Sequence, residues 1–149
     1  MKKETRAASR TGAPTRAYVA VLRAASTLQA GVSDLLRPHG LTHNQYNVLR
    51  ILRGAGPEGA TCGQIAERMI NRDPDITRLL DRLEKAGLAA RHRSARDRRT
   101  VVNRVTESGL RLLGELDEPV AALHREQFTT LGRAEVDRVI ASLTAIAGE

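Results

Sequence analysis

The 149-residue chain is short of aromatic side chains, with no tryptophan, two tyrosines and one phenylalanine. At 41% hydrophobic it is apolar enough to fold, so its core must come from Leu, Ile, Val and Ala, which suits packed helices. The same shortage counts against a single-stranded nucleic-acid binder, because the basic stretch offers no ring on which a base could stack. One cysteine, Cys62, excludes a disulfide within the chain and fits a cytoplasmic protein. No apolar run exceeds a few residues, so no membrane span is expected. The basic start, Met1-Lys-Lys-Glu-Thr-Arg6, has no apolar stretch behind it and does not read as a signal peptide. His39, His43, His92 and His124 share no metal spacing, there is no Gly-rich phosphate loop, and no nucleophile has a base beside it. Neither an enzyme nor a cofactor is expected.

What the chain does have is positive charge, and it is not spread evenly. Of the net +7, residues 1–16 carry +4 (five Lys/Arg against one Glu) and residues 17–90 carry +2. Residues 91–104 carry +5, from six Arg against Asp97, whereas residues 105–149 carry −4. A concentrated patch is what a polyanion requires, since each neutralised phosphate releases counterions. Taken alone, an Arg-rich loop is equally well a solvated face.

Residues 1–13 are small, polar and basic, and read as a disordered tail. Residues 14–149 read as a single domain, the size at which one core suffices. Apolar residues recur at Ala17, Val21, Ala24, Leu28, Val32, Leu35 and Leu36, an amphipathic helix of about 22 residues with Pro14 in its first turn. Pro38 and Gly40 stop it. Three short helices follow. Thr42-x-x-Gln45 opens the first as a capping box, with Leu41 and Tyr46 placed as a hydrophobic staple. It buries Tyr46, Leu49, Ile51 and Leu52 before breaking at Gly54–Gly59. Thr61-x-x-Gln64 opens the second, with Ile65, Ala66 and Met69 as its apolar residues. Asp73 caps the third, Pro74 takes its first position and Gly87 closes it. Ile76, Leu79, Leu80 and Leu83 form one buried stripe on it. Leu88–Arg93 and Thr100–Val105 then read as two strands around a charged turn, Ser94–Arg99. Such a pair is marginal alone and must lean on the helices. Thr106 caps a long helix bearing Leu110, Leu113, Leu116, Val120 and Leu123. A last helix from about Arg133 carries Val136, Val139, Ile140, Leu143 and Ile146.

The fold class is therefore mainly α with a small β-hairpin, and the parts are those of a winged helix-turn-helix. A helix of this length fits the major groove, where base edges present distinguishable donors and acceptors. A hairpin beside it can place an Arg in the minor groove, whose negative potential attracts it. With 100° per residue, Pro74, Arg78, Asp81 and Lys85 lie opposite the stripe of the third short helix. First-turn residues of such a helix reach bases, which selects Asn71, Arg72, Asp75, Thr77 and Arg78. Arg78 suits guanine, and Asp75 suits either a cytosine amino group or the helix N-terminus itself. Arg82 suits a carboxylate or a phosphate. Arg93, Arg96, Arg98 and Arg99, with Asp97, make up the candidate contacts of the hairpin.

Leu41-Thr-x-x-Gln45-Tyr-x-Val-Leu, Ile65-Ala-Glu-Arg-Met, Thr77-Arg-Leu-Leu-Asp-Arg-Leu-Glu-Lys-Ala-Gly87-Leu, Asp97-Arg-Arg99 and Val105-Thr-Glu-x-Gly109-x-x-Leu-Leu follow in this order. The set resembles the MarR family of multiple antibiotic resistance regulators over roughly residues 15 to 147. The resemblance implies a homodimeric regulator, a repressor relieved by a small molecule, that binds a palindromic double-stranded operator. It implies a DNA-binding part at about 41–106, with the recognition helix at 73–86 and the wing at 88–105, and dimerisation helices at 14–38 and 107–147. Asp97 would orient the wing arginines, and Arg98 or Arg99 would enter the minor groove. Asn71-Arg-Asp-Pro-Asp75 is more charged than the family's usual Ser-containing start, so base preference does not transfer; Gly132 replaces a usual Ser or Thr cap. Family members often respond to small aromatic or anionic molecules, for which Tyr18, His39, His43 and Tyr46, with Arg16, are the candidates. Two alternatives remain. One is redox sensing through Cys62, which stands where a helix N-terminus lowers a thiol pKa. The other is a protein-interaction module of the same fold without DNA binding, against which the six arginines argue.

Overall fold

The computed structural model describes residues 12–72 and 75–149. Residues 1–11 of the expected tail, and the expected cap Asp73 with Pro74, lie outside the described residues. Helix α1 spans Ala13–Leu36 with Pro14 in its first turn. A 3-10 turn, Arg37–His39, and left-handed Gly40 end it. Helix α2 is His43–Ala55 and α3 is Cys62–Arg68. Both begin at the expected capping boxes, Thr42 Oγ1 accepting from the Gln45 N–H and Thr61 Oγ1 from the Gln64 N–H, each at 3.2 Å. Leu41 and Tyr46, the expected staple, are both buried. Helix α4 is Ile76–Lys85, strands β1 and β2 are Ala89–Arg93 and Val101–Val105, and helices α5 and α6 are Glu107–Gln127 and Arg133–Ala147.

One core joins the lower end of α1 (Val32, Leu36) to α2, α3, α4 and the middle of α5. Helix α2 lies at its centre and touches α1, α3, α4, α5 and β2. A helix surrounded in this way buries more than one stripe, which is why Val48 is fully buried although the sequence pattern did not select it. Ile51 and Leu79 are half-buried, while Ala66 on the seven-residue α3 is exposed.

The hairpin pairs Ala89 with Val105 through to Arg93 with Val101. It is not left to two strands. Ala60 adds a single-residue third rung, its N–H donating to the Asn103 carbonyl at 2.9 Å and its carbonyl accepting from the Asn103 N–H at 2.8 Å. The buried Asn103 side chain also donates to the Ala60 carbonyl, at 3.1 Å. Helix α4 ends in a Schellman motif: the Gly87 N–H bonds to Glu84 and the Leu88 N–H to Leu83, with Gly87 at φ 72°. Thr106 then caps α5, accepting from the Gly109 N–H and donating to the Gly87 carbonyl.

The two ends of the chain depart from a simple buried-stripe picture. Residues 13–27 of α1 are exposed throughout, including Ala17, Val21 and Ala24, and no residue of α6 is buried. Leu110 is 44% exposed, because Gly109 holds the adjacent inward position and Leu110 is turned about 100° away from it. Among the described residues no helix is long and apolar enough to cross a membrane.

Gly109 has no room for a side chain: a Cβ there would meet the Leu88 carbonyl at 2.4 Å and Val105 Cγ2 at 2.6 Å. Gly114 on the same helix faces open space. Alanine in a helix normally gains about 0.5–1 kcal/mol over glycine, and overpacking costs about 1–3 kcal/mol. Gly114→Ala should therefore raise the melting temperature and Gly109→Ala should lower it. Two rises in thermal melts would show that the α5–hairpin junction is looser than described.

Candidate nucleic-acid interface

Helix α4 turns Ile76, Leu80 and Leu83 into the core, which leaves Thr77, Arg78, Arg82 and Lys85 exposed. The helix starts later than its expected cap: Asp75, not Asp73, is the N-cap residue, its Oδ1 accepting from the Arg78 N–H at 3.1 Å. A carboxylate here also answers the positive end of the helix dipole. The connection into α4 is tied back to α2. Asn47 accepts from the Ile70 N–H at 3.0 Å, and the Asn71 amide donates to Asn44 Oδ1 at 2.8 Å. Asn71 is thus half-buried and already partnered, while Arg72 is exposed.

At the hairpin tip, Asp97 organises the turn. Its Oδ1 accepts from the Arg99 N–H at 2.9 Å, its Oδ2 from the Thr100 hydroxyl at 3.0 Å, and its carbonyl from the Thr100 N–H at 2.9 Å. The carboxylate therefore fixes the backbone that carries Arg98 and Arg99 rather than pairing with their guanidinium groups. Arg93, Arg96, Arg98 and Arg99 are all exposed; Arg96 Nε lies 3.6 Å from Glu58. Helix α4 packs against β1, so the exposed face of α4 and the arginine-rich hairpin adjoin. Two acids on α4, Asp81 and Glu84, pair with Arg91 of β1.

The candidate ligand residues separate into two groups. His43 and Tyr46 line one cavity of about 120 Å³ with Val32, Asn47, Arg50, Ile70 and His124. Tyr18 and His39 are not among its lining; Tyr18 is 64% exposed on α1. Burial holds the His43 imidazole below its ordinary pKa, and nearby His124 lowers it further. Burial raises the Tyr46 phenol, against the pull of Arg50, whose guanidinium stands 5.9 Å from the ring centre. Beside this cavity Arg53 binds both oxygens of Asp117, each at 2.9 Å, joining α2 to α5. Cys62 is exposed at the first position of α3.

Residues 41–101, from the entry of α2 to the first residue of β2, match the model of the MarR family. The chain is also 36% identical to a solved MarR transcription factor from Planctomyces limnophilus, over 91% of this chain and 98% of that one, with a TM-score of 0.69. The chain belongs to the MarR family. MhqR of Bacillus subtilis (strain 168), a helix-turn-helix transcriptional regulator, is 28% identical over 120 residues, which is 80% of this chain and 81% of that protein. CouR of Rhodococcus jostii RHA1, solved with p-coumaroyl-CoA, is 29% identical with a TM-score of 0.75, covering 85% of this chain and 88% of the other. As a MarR-family protein the chain is a DNA-binding transcriptional regulator with a winged helix-turn-helix, not an enzyme.

Sequence reasoning passed over Asn44, Asn47 and Asn103, which hold the parts of the MarR-type site in register, and Arg50 and His124 of the cavity. A buried Asn between Val102 and Arg104 is a signal in itself, since a polar group inside a strand needs a partner. Nothing in the strand's own sequence points to Ala60 as that partner.

The His43 shift has a measurable sign. The folded chain binds this proton less readily than the unfolded chain, so the stability due to neutral His43 is complete above the ordinary pKa of 6.5 and is lost as pH falls below it. Thermal melts from about pH 7.5 to about pH 5 should fall more steeply for the native chain than for His43→Gln. Parallel curves would show that the imidazole is not held neutral.

Proposed function

We propose that this regulator is a homodimeric repressor that reads a palindromic operator with α4 and the wing and is released from it by a small aromatic or anionic effector. The observation that carries the reading is the set of exposed arginines without ion-pair partners among the described residues: Arg78 and Arg82 on α4, and Arg93, Arg98 and Arg99 around a turn fixed by Asp97. Arg78 and Thr77 face bases in the major groove. Asp75 uses one carboxylate oxygen on its cap, and the other accepts from a cytosine amino group. Arg72, Arg82, Arg93 and Arg96 take phosphates, and Arg98 or Arg99 enters the minor groove. Asn71 holds the approach to α4 through one amide N–H to Asn44, and its remaining amide groups face the operator. The DNA-binding part is about 41–106.

Pairing is the work of residues 14–38 and 107–147. Tyr18, Val21 and Leu22 on α1, and Ile140, Leu143 and Ile146 on α6, are exposed apolar side chains. A cleft of about 580 Å³ between the two helices is lined by Val21, Ala24, Val139 and Leu143 among others. Apolar surface of this extent calls for a partner, and a second copy related by a two-fold axis brings two recognition helices to half-sites one DNA turn apart. The acidic net charge of residues 105–149 suits a part that stays away from phosphates. Repression follows from occupancy, a dimer across a promoter excluding the polymerase. The effector site is the cavity of His43, Tyr46, Arg50 and His124, whose cationic and aromatic groups suit an aromatic carboxylate. CouR, a relative, was solved with p-coumaroyl-CoA, which joins an aromatic ring to the anionic phosphates of coenzyme A.

Duplex DNA selected by the protein from a random-sequence pool supplies the probe. Binding should weaken steeply with salt, and Arg99→Ala should flatten the slope of log K against log salt by about one unit per protomer, about two per dimer. Undisturbed binding by both Arg99→Ala and Arg78→Ala would overturn the docking. Sedimentation at micromolar concentration should give a dimer; a stable monomer would overturn the pairing.

A further inference from the structure

We propose that Arg91 is a positioning residue: it ties the wing to the recognition helix through Asp81 and Glu84 and touches no phosphate itself. The inference rests on α4 and the wing being the DNA-docking elements. Side chains alternate across a strand, so Ala89, Arg91 and Arg93 share one face of β1. Ala89 is buried where β1 meets α4. One alternation further out, Arg91 Nη1 lies 2.8 Å from Glu84 Oε2, and its Nη2 is bonded to Asp81 Oδ1. One alternation beyond that, Arg93 is exposed and unpaired among the described residues. The three positions thus grade from core, to strut, to free cation.

The geometry requires arginine. Asp81 and Glu84 stand three residues apart on α4, and each takes a different nitrogen of one planar guanidinium, a fork that a lysine ammonium cannot reproduce. Exposed pairs of this kind add little stability. What the fork fixes is the angle between α4 and the hairpin, whose covalent link is the short turn through Gly87 and Leu88. The major-groove helix and the minor-groove tip must engage together, and any freedom between them has to be removed on binding. The clamp also meets an electrostatic need. Asp81 lies on the side of α4 that carries Arg78 and Lys85, where a bare carboxylate would repel phosphate; Arg91 cancels one of the two acidic charges.

The test compares the selected operator duplex with a scrambled duplex of equal length, so that changes in net charge cancel in the ratio of affinities. Arg91→Gln should lower the ratio about tenfold, with the salt slope unchanged and the melting temperature nearly so. Asp81→Asn combined with Glu84→Gln should lower the ratio too, even as removing two acids raises the affinity for both duplexes. The triple variant should fall no further than Arg91→Gln, because all three groups form one unit. Arg91→Lys, which keeps the charge and one pair, should give an intermediate ratio. A drop in slope of about two per dimer in Arg91→Gln, as for Arg99→Ala, would make Arg91 a phosphate contact and overturn the proposal. So would an unchanged ratio in the double acid variant, additive losses in the triple, or native binding by Arg91→Lys. If the Arg78, Arg99 and Arg91 variants all bind like the native chain, the docking reading itself fails.

Discussion

The burial of α2 is the constraint on which the DNA-binding half depends. Val48, Leu49 and Leu52 are fully excluded from solvent, and α1, α3, α4, α5 and β2 all rest on this one helix. Its polar edge is used as closely as its apolar one. Asn44 and Asn47 hold the approach to α4, Arg53 holds α5 through Asp117, and Tyr46 and Arg50 form a wall of the cavity. A helix so placed cannot shift without moving α4 together with α1 and α5. That connection gives a cavity beside α2 a physical route to the DNA face.

Local signals in the sequence were sufficient wherever the chain's own neighbours decide the outcome. Both capping boxes, the Ile76–Leu80–Leu83 stripe and the left-handed close at Gly87 follow from residues at most a turn or two apart in the chain. The helix start at Asp75 rather than Asp73 was harder, because two acids in Asp73-Pro74-Asp75 can each serve as a cap. Leu110 and Ala66 have the right spacing but not the right company: Gly109 takes the inward place next to one, and the other sits on a helix too short to bury two faces. Asn103 and Ala60 lie 43 residues apart, and no periodicity links them. For the candidate site, the exposed arginines were legible from charge density alone, whereas the pairing of Arg91 and the tethering of Asn71 depend on tertiary neighbours. Of the proposed ligand residues, His43 and Tyr46 share a cavity because both lie on α2; Tyr18 and His39 were selected by residue type, and their elements lead elsewhere.

Helices α1 and α6 show the reverse situation. Their apolar residues recur at helical spacing, yet no residue of α6 is buried and α1 buries only Val32 and Leu36 near its end. Periodicity reports that a face needs cover and says nothing about which chain provides it. The charge division points the same way, with acids gathered in the last third and arginines at the wing.

The bonds that shape the wing tip run from Asp97 to main-chain and hydroxyl groups, leaving the side chains of residues 98 and 99 out of the scaffold. Shape and chemistry are thereby held by different residues. Substitutions at the two tip positions can change the chemistry that the loop presents without refolding it, so on the proposed docking operator preference is free to drift among descendants of this chain while the hairpin that presents it stays constant.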